Sequence, residues 1–427
     1  MTTNGSEMDA SIIRGMTQPR ITRRDLFKTA GAVAGAAGLS SGLSSVAGAL
    51  PNSNVGSKTW WASQQVHHQL NFANWPYYID TVSGTHPSLV EFKKETGINV
   101  TYSEVIEDNP AFYQRIIPSL SAGGSTGYDL IVMTNNSPQL GYLIQGGYLI
   151  PLDQTAMTNF NKYASPTVKN PVWDRGNKYT MAYQSGWTSL AYDANKVKSP
   201  GNSLSLMFST KYKGQVGMFA DPIELGAIGL LAIGVNPASS TPSDWSRAAT
   251  KLRQQRDSGI VAAYYGNDYI NHLKNGDLAI SQCYSGDIFQ ARVNGSKNLN
   301  LLTPKEGLLF WTDNMAIPLY AANPRDAMKA MDFYFSPLTQ AVVEYYVDYI
   351  CPVPTAKNEM LKPTGWDKAA LAAMKAEVGL TSTQVASAPT IFPTAAMNAI
   401  SKPYYQFKSQ TEIDTWNETF LPIVQGQ

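Results

Sequence analysis

The chain has 427 residues, of which 43% are hydrophobic and 11% aromatic, so it is long enough for two or three domains and too apolar to be disordered. Its 33 Lys and Arg residues nearly balance its 32 Asp and Glu residues, which leaves no global field to attract nucleic acid or an anionic membrane. Charged residues make up only 15% of the chain, well below the usual share of about a quarter. Any recognition of charge must therefore be local.

The first 49 residues have the pattern of an export signal. Residues 22–28 read TRRDLFK, and the Ala- and Gly-rich run over residues 29–49 ends in small residues that suit cleavage. A membrane anchor is the alternative. The many glycines and serines of the run, and the small residues at its C-terminal end, argue against an anchor. The run contains no Cys for lipid attachment. We expect export by the twin-arginine translocase to a periplasmic or other extracytoplasmic location, and not as a lipoprotein.

After a polar linker predicted at residues 50–66, strand and helix patterns alternate along the chain. Residues 69–78 predict a short strand that runs into a turn broken by proline. The other predicted strands lie at residues 98–102, 128–133, 185–192, 215–220 and 277–284. The predicted helices lie at residues 88–96, 112–120, 139–145, 225–233, 243–258 and 325–335, with a further helix after a turn at residues 285–287. This alternation predicts an α/β fold, and the length suits two α/β lobes.

The stretch at residues 305–318 reads KEGLLFWTDNMAIP and places Trp311 two residues before Asp313 in an otherwise apolar run. Residues two apart in an extended strand face the same way, so an aromatic ring and a carboxylate would line one surface. Such a pair suits an organic cation, because the ring attracts an ammonium and the carboxylate accepts its hydrogen bond. The alternative is a core Trp beside a solvated loop Asp.

A second acidic pair, Asp221 and Glu224, lies between a predicted strand and a predicted helix. Acids at a helix N-terminus are the ordinary capping pattern, because they meet the unpaired amides and the positive end of the helix dipole. Strand-to-helix loops are also where α/β proteins place groups that bind ligands. Both interpretations stay open, and two carboxylates here would suit a polyvalent cation.

Aromatic residues follow other strands in the same way. They are Trp75 and Tyr78 after the first strand, Tyr284 after a later one, and Tyr345, Tyr346 and Tyr349 before residues 351–354. Each ring alone indicates packing, since aromatics dominate protein cores. Their recurrence at one kind of position in the fold favours a shared site.

Signatures of catalysis, metals and cofactors are poor. A GxSxG string at residues 38–42 lies inside the export signal, and the chain has no P-loop and no dinucleotide fingerprint. The four histidines and two cysteines lack the spacing of a metal site. We therefore expect no enzyme activity, no cofactor and no structural metal, with a secreted hydrolase as the remaining alternative of a different class.

Five segments that occur in order resemble the spermidine/putrescine-binding proteins of polyamine ABC importers. They are residues 74–78, 92–100, 128–132, 221–224 and 306–318. The likeness covers about residues 69–355 and extends loosely into the tail. It implies a type II periplasmic-binding-protein fold, in which two α/β lobes with mixed sheets are joined by crossing strands around a ligand cleft. Lobe 1 would comprise residues 67–186 and 314–358, and lobe 2 residues 187–313 and 359–427.

The resemblance also implies the residues that bind the ligand. They are Trp75, Tyr78, Thr134, Asp221, Glu224, Tyr284, Trp311, Asp313, Tyr349 and Gln406. Asp313 would bind one ammonium group and the 221/224 pair another, while the rings enclose the methylenes. Two departures from the family, Pro76 and the residues 134–136, leave the choice of amine open.

By the same resemblance, the protein captures a polyamine, closes by a hinge near Gly186 and Asp313, and delivers its ligand to a membrane permease as a monomer. A protein of the same architecture that binds thiamine, an amino acid or a metal ion is the alternative. Cys283 would lie in lobe 2 and Cys351 in lobe 1, where a disulfide between them would clamp the cleft. We expect two free buried thiols.

Overall fold

The computed structural model describes residues 54–363 and 368–426. The predicted export signal and the first residues of the predicted linker lie outside this part of the chain. Within it, every helix is too short or too polar to cross a membrane.

Strands and helices alternate over most of the described residues, as the sequence predicts. The strands are β1 (Gln69–Asn74), β2 (Asn99–Glu104), β3 (Leu130–Thr134), β4 (Thr180–Asp193), β5 (Val216–Phe219), β6 (Val261–Tyr265), β7 (Ile280–Tyr284), β8 (Leu299–Leu301), β9 (Leu308–Ala316) and β10 (Ser401–Pro403). The first helices are α1 (Lys58–Ser63), α2 (Pro87–Thr96), α3 (Asn109–Ser121), α4 (Pro138–Gln145), α5 (Thr158–Tyr163), α6 (Pro222–Ala232), α7 (Pro242–Asp257) and α8 (Tyr269–Asn275). The later helices are α9 (Ser285–Val293), α10 (Pro324–Phe333), α11 (Pro337–Val347), α12 (Ala356–Leu361), α13 (Lys368–Val378), α14 (Ser382–Ala386), α15 (Ala395–Ile400) and α16 (Gln410–Val424).

The strands form one mixed sheet in the order β2-β1-β3-β9-β4-β7-β5-β6. At one end β1 pairs in parallel with β2 and β3, and at the other β5 pairs in parallel with β6 and β7. The long strands β4 and β9 lie antiparallel to each other between these two sets. Two parallel sets of strands connected by the long strands β4 and β9 fit the predicted fold class, in which two α/β lobes with mixed sheets are joined by crossing strands.

Local signals in the sequence explain where several helices begin and end. Gly97 ends α2 in the left-handed region at φ 72°, a conformation that glycine adopts without steric cost. Thr241 and Asp244 form a capping box at the start of α7. The turn predicted at residues 285–287 is wrong, because α9 begins directly at Ser285 and these residues form its first turn.

The described part of the predicted linker is packed against residues of the predicted lobe 1. Residues 58–63 form α1, in which buried Trp61 donates its indole N–H to the Pro151 carbonyl oxygen at 2.9 Å. The guanidinium of Arg325 lies 5.0 Å from the centre of that ring and binds the Asp153 carboxylate at 2.7 Å. Burial of the large indole of Trp61 stabilises the packing of this segment although most of its neighbours in sequence are polar, so residues 58–63 are not an unpacked linker.

Both cysteines, Cys283 and Cys351, are buried free thiols, which confirms the prediction that they do not pair. Burial raises the pKa of each thiol well above its ordinary value, so both stay protonated. The lobe boundaries at residues 186, 313 and 358 stay a prediction. Helices α12 and α13 pack on α11, and α14 packs on α12, whereas α16 packs on α6 and α7.

Candidate functional site

The site centres on Asp313, which is 2% exposed on the crossing strand β9. The Tyr78 hydroxyl donates to its Oδ2 atom and the Thr134 hydroxyl donates to its Oδ1 atom. Thr134 lies directly opposite Asp313 on β3, which explains the second contact. Asp313 is thus a buried, hydrogen-bonded carboxylate and not a solvated loop residue.

Trp311 is 5% exposed and lies two residues away on the same strand, as the extended spacing predicts. Its indole packs on Gly186 of β4, where an added Cβ atom would lie only 2.2 Å from the ring. The Tyr284 ring meets it edge-on with 6.0 Å between ring centres, and the Tyr349 ring lies at 5.5 Å. Tyr349 also meets Tyr78 at 5.8 Å. These four aromatic rings form a connected wall beside Asp313.

The two acids at the start of α6, Asp221 and Glu224, have different structural roles. Asp221 is exposed and caps the helix, accepting from the backbone N–H groups of Ile223 at 2.7 Å and Glu224 at 3.0 Å. Glu224 is buried and accepts from the Asn136 amide at 2.9 Å and the Tyr404 hydroxyl at 2.7 Å. Capping and a site acid therefore coexist in one motif.

Burial raises the pKa of Glu224 to about 8, and the neighbouring negative charge of Asp221 adds to this effect. The hydrogen bonds from Tyr404 and Asn136 work in the opposite direction but do not offset it. Glu224 is consequently an acid whose charge would be favoured by an arriving cation.

Asp287 is a further site acid that the sequence did not single out. It is buried in the first turn of α9, where it accepts from the hydroxyls of Tyr269 at 2.7 Å and Tyr349 at 3.1 Å. Its position could have revealed it, because it follows a strand and opens a helix as Asp221 and Glu224 do. Because residues 285–287 were interpreted as a turn, Asp287 was not recognised as an acid at the start of a helix.

Two predicted residues have a weaker connection to this cluster. The Gln406 amide donates to the Tyr404 carbonyl oxygen at 3.3 Å, so the residue that reaches Glu224 is Tyr404, two positions earlier. Trp75 follows β1 half-buried, and its indole N–H has no hydrogen-bond partner among the described residues. The structure brings six of the predicted residues together around one wall, namely Tyr78, Thr134, Trp311, Asp313, Tyr284 and Tyr349. Glu224 binds Asn136, which lies two residues after Thr134.

Two of these hydrogen bonds join segments that the sequence prediction assigns to different lobes. Asn136 follows β3 and binds Glu224 at the start of α6. Tyr349 follows α11 and binds Asp287 on α9. The described residues include no group of three or more His, Cys, Asp or Glu side chains placed to hold a metal ion.

Residues 88–375, more than half of the chain, match the family model described as "Bacterial extracellular solute-binding protein". The chain belongs to this family. This solute-binding protein is 30% identical over 376 residues to the putrescine-binding periplasmic protein PotF of Escherichia coli (strain K12), covering 83% of this chain and 90% of PotF. It is 28% identical over 300 residues to the spermidine/putrescine-binding periplasmic protein of the same organism, covering 70% and 81% of the two chains.

Solved structures confirm the predicted type II periplasmic-binding-protein fold. The solute-binding protein superimposes on the spermidine/putrescine substrate-binding protein PotD of Streptococcus pneumoniae with a TM-score of 0.68 at 22% identity, covering 84% of this chain and 98% of that one. A putative spermidine/putrescine ABC transporter protein of Listeria monocytogenes gives a TM-score of 0.65 at 23% identity, covering 84% and 100%. The resemblance read from the ordered sequence segments is thereby confirmed.

Proposed function

We propose that this protein is the extracytoplasmic solute-binding component of an ABC importer and that it binds a polyamine between its lobes. The observation that carries this proposal is the burial of Asp313, Glu224 and Asp287 around one set of aromatic rings. The names of the relatives, which bind spermidine or putrescine, point to the same ligand class.

The chemistry of the site suits an amine. An ammonium group only donates hydrogen bonds and an ionised carboxylate only accepts them, so the buried carboxylate of Asp313 is a suitable partner for an amine. Glu224 gains most from such a ligand, because burial and Asp221 disfavour its charge. A desolvated cation binds the face of an aromatic ring with about 0.5–2 kcal/mol, which the rings of Trp311, Tyr284 and Tyr349 can provide.

The two ends of the ligand would meet different lobes. Asp313 on β9 receives one ammonium group, and Glu224 with Asp287 at the helix starts of lobe 2 receives another. The hydrogen bonds Asn136–Glu224 and Tyr349–Asp287 close the lobes over the ligand. Closure proceeds by a hinge motion of the crossing strands near Gly186 and Asp313, and the closed form is the one presented to the membrane permease.

The cellular route follows from the leader and the family. The twin-arginine motif at residues 22–28 exports the chain, and the protein then acts as an unlipidated monomer outside the cytoplasmic membrane. The family description and the periplasmic relatives support this location.

Isothermal titration calorimetry of the mature protein with putrescine, spermidine, thiamine, amino acids and divalent cations tests the proposal. We expect a polyamine to bind with micromolar or lower Kd, and Asp313→Asn to weaken it by roughly tenfold to a hundredfold, since a hydrogen bond to a charged group contributes about 1.5–3 kcal/mol. Asp257→Asn, at an exposed acid on α7, is the matched control. Absence of heat with every polyamine, or equal affinity in Asp313→Asn and wild type, would refute the proposal.

A further inference from the structure

A row of polar side chains crosses the sheet at the position of Asp313. Thr134 of β3 and Gln184 of β4 both lie directly opposite Asp313 of β9. Residues directly opposite in antiparallel strands share a face, with their Cβ atoms about 5 Å apart. Gln184 therefore continues the ligand-facing row on the other side of Asp313 from Thr134.

Helix α11 packs over the far end of this row. Gln340, Glu344 and Asp348 are spaced by four residues, so they line one face of the helix and its C-terminal cap. The Gln184 amide donates to the Gln340 side-chain oxygen at 3.4 Å. The Gln184 amide and the Tyr349 backbone N–H both approach the Glu344 carboxylate, and neither completes a hydrogen bond to it. The next residue, Tyr349, contacts Trp311 in the ring wall, which connects this helix end to the cleft.

These side chains carry acceptor atoms that nothing in the described chain satisfies. Glu344, Gln184 and Gln340 are fully buried, and Asp348 is nearly so. The acceptors without a partner are both carboxylate oxygens of Glu344, Oδ1 of Asp348 and Oε1 of Gln184, whereas the only donor without a partner in this cluster is Nε2 of Gln340. A proton on either acid, a water molecule or an ammonium group would each bring donors to these acceptors, and of the three only the ammonium donates without also accepting.

We propose that Glu344 and Asp348, with Gln184, form an inner subsite that takes an additional ammonium group of a longer polyamine. The inference rests on the proposed function and deepens it, because it makes the cleft selective for a triamine over a diamine. One ammonium binds at Asp313, and the next lies one side-chain length further along the row, behind Gln184. Because the described residues offer no three-acid metal cluster, an alkylammonium fits this pair of acids better than a metal ion.

The test compares the Kd values of spermidine, a triamine, and putrescine, a diamine, in wild type, Glu344→Gln and Asp348→Asn. We expect wild type to bind spermidine more tightly than putrescine. In each variant, the Kd of spermidine should rise by a factor at least ten times larger than the Kd of putrescine. Glu377→Gln, which removes a carboxylate from an exposed position on α13, serves as the control and leaves both Kd values unchanged. Thermal unfolding of each variant reports folding, and Glu344→Gln is expected to raise the Tm because it removes an unpaired buried acid.

The outcomes separate this inference from the proposed function. If wild type binds neither amine, the proposed function itself is wrong. If wild type binds putrescine at least as tightly as spermidine, or the variants weaken both amines equally, the inner subsite is wrong while polyamine binding stands. Unchanged Kd values for both amines in the two variants would show that Glu344 and Asp348 hold only a proton or an internal water, and would also overturn the inference.

Discussion

At the scale of single residues, the acids of the site differ in what surrounds them. Asp313 accepts from the hydroxyls of Tyr78 and Thr134. Glu224 accepts from the Tyr404 hydroxyl and the Asn136 amide and lies beside Asp221. Burial costs both carboxylates solvation, and for Glu224 it raises the pKa to about 8. Residue type alone did not reveal this difference.

The raised pKa of Glu224 predicts how amine affinity changes with pH. Glu224 holds a proton below pH 8 in the free protein, and a bound ammonium favours its anion, so binding releases a proton. Affinity should rise between about pH 5 and pH 8, by at most about tenfold per pH unit, and level off above pH 8. Calorimetry in two buffers of different ionisation enthalpy measures the proton release.

Glu224→Gln should remove most of this pH dependence, while Asp257→Asn should retain it. Without ligand, the stability of the folded protein changes with pH in the opposite direction to the affinity. Folding raises the pKa of Glu224, so the folded state is destabilised at a pH where this acid must ionise. The free energy of unfolding should therefore fall as the pH rises from about 4.5 to about 8. An affinity for amine that is flat or decreasing over this range in wild type would contradict the assignment.

At the scale of elements, α1 shows how a segment of polar composition becomes part of a lobe. Trp61 is buried and hydrogen-bonded to the Pro151 carbonyl, while its neighbour Trp60 is only partly buried. Arg325 adds a cation-π contact to the Trp61 ring and an ion pair to Asp153. The Trp61 indole therefore packs the described beginning of the chain against Pro151 and Arg325.

Trp61→Ala should lower the free energy of unfolding by about 3–5 kcal/mol, because it leaves a cavity and an unpaired Pro151 carbonyl. The matched variant Trp60→Ala should cost clearly less, since that ring is partly in solvent. Urea unfolding followed by circular dichroism measures both. Equal losses in the two variants would show that the burial of Trp61 does not hold this segment in place.

At the scale of the whole molecule, the antiparallel strands β4 and β9 connect the two parallel sets of strands, and β9 carries Trp311 and Asp313 of the candidate site. Gly186 of β4 lies opposite Trp311 of β9, and the indole occupies the space that any side chain at position 186 would need. The Trp311 ring of the candidate site is therefore packed on the crossing strand β4. On the proposed function, we expect binding and lobe motion to depend on this contact.

Gly186→Ala should displace the Trp311 ring, because its Cβ atom would lie 2.2 Å from the indole. We expect a loss of about 1–3 kcal/mol in stability from overpacking and a weaker affinity for amine. Gly141→Ala in α4 is the control, since the nearest atom there is 3.9 Å away and alanine favours a helix. Wild-type affinity and Tm in Gly186→Ala would show that Trp311 can move aside without consequence.

The sequence by itself determined the α/β alternation, the helix ends at Gly97 and Asp221, and the acids and rings that follow strands. These properties depend on local periodicity, caps and turns, which neighbouring residues encode. It also predicted correctly that Trp311 and Asp313 share a strand. The short strand β6, the helices beyond α10 and the packed α1 were not predicted, because their positions depend on contacts with distant segments.

Only the tertiary structure decided which side chains meet. Tyr404 reaches Glu224 across 180 residues of chain, Thr134 reaches Asp313 across 179, and Asp287 meets Tyr349 across 62. No local period encodes such pairs, since they arise when the sheet aligns the ends of strands that are far apart in sequence. For the same reason, the row from Asp313 through Gln184 to Glu344 became visible only once β4, β9 and α11 were packed together.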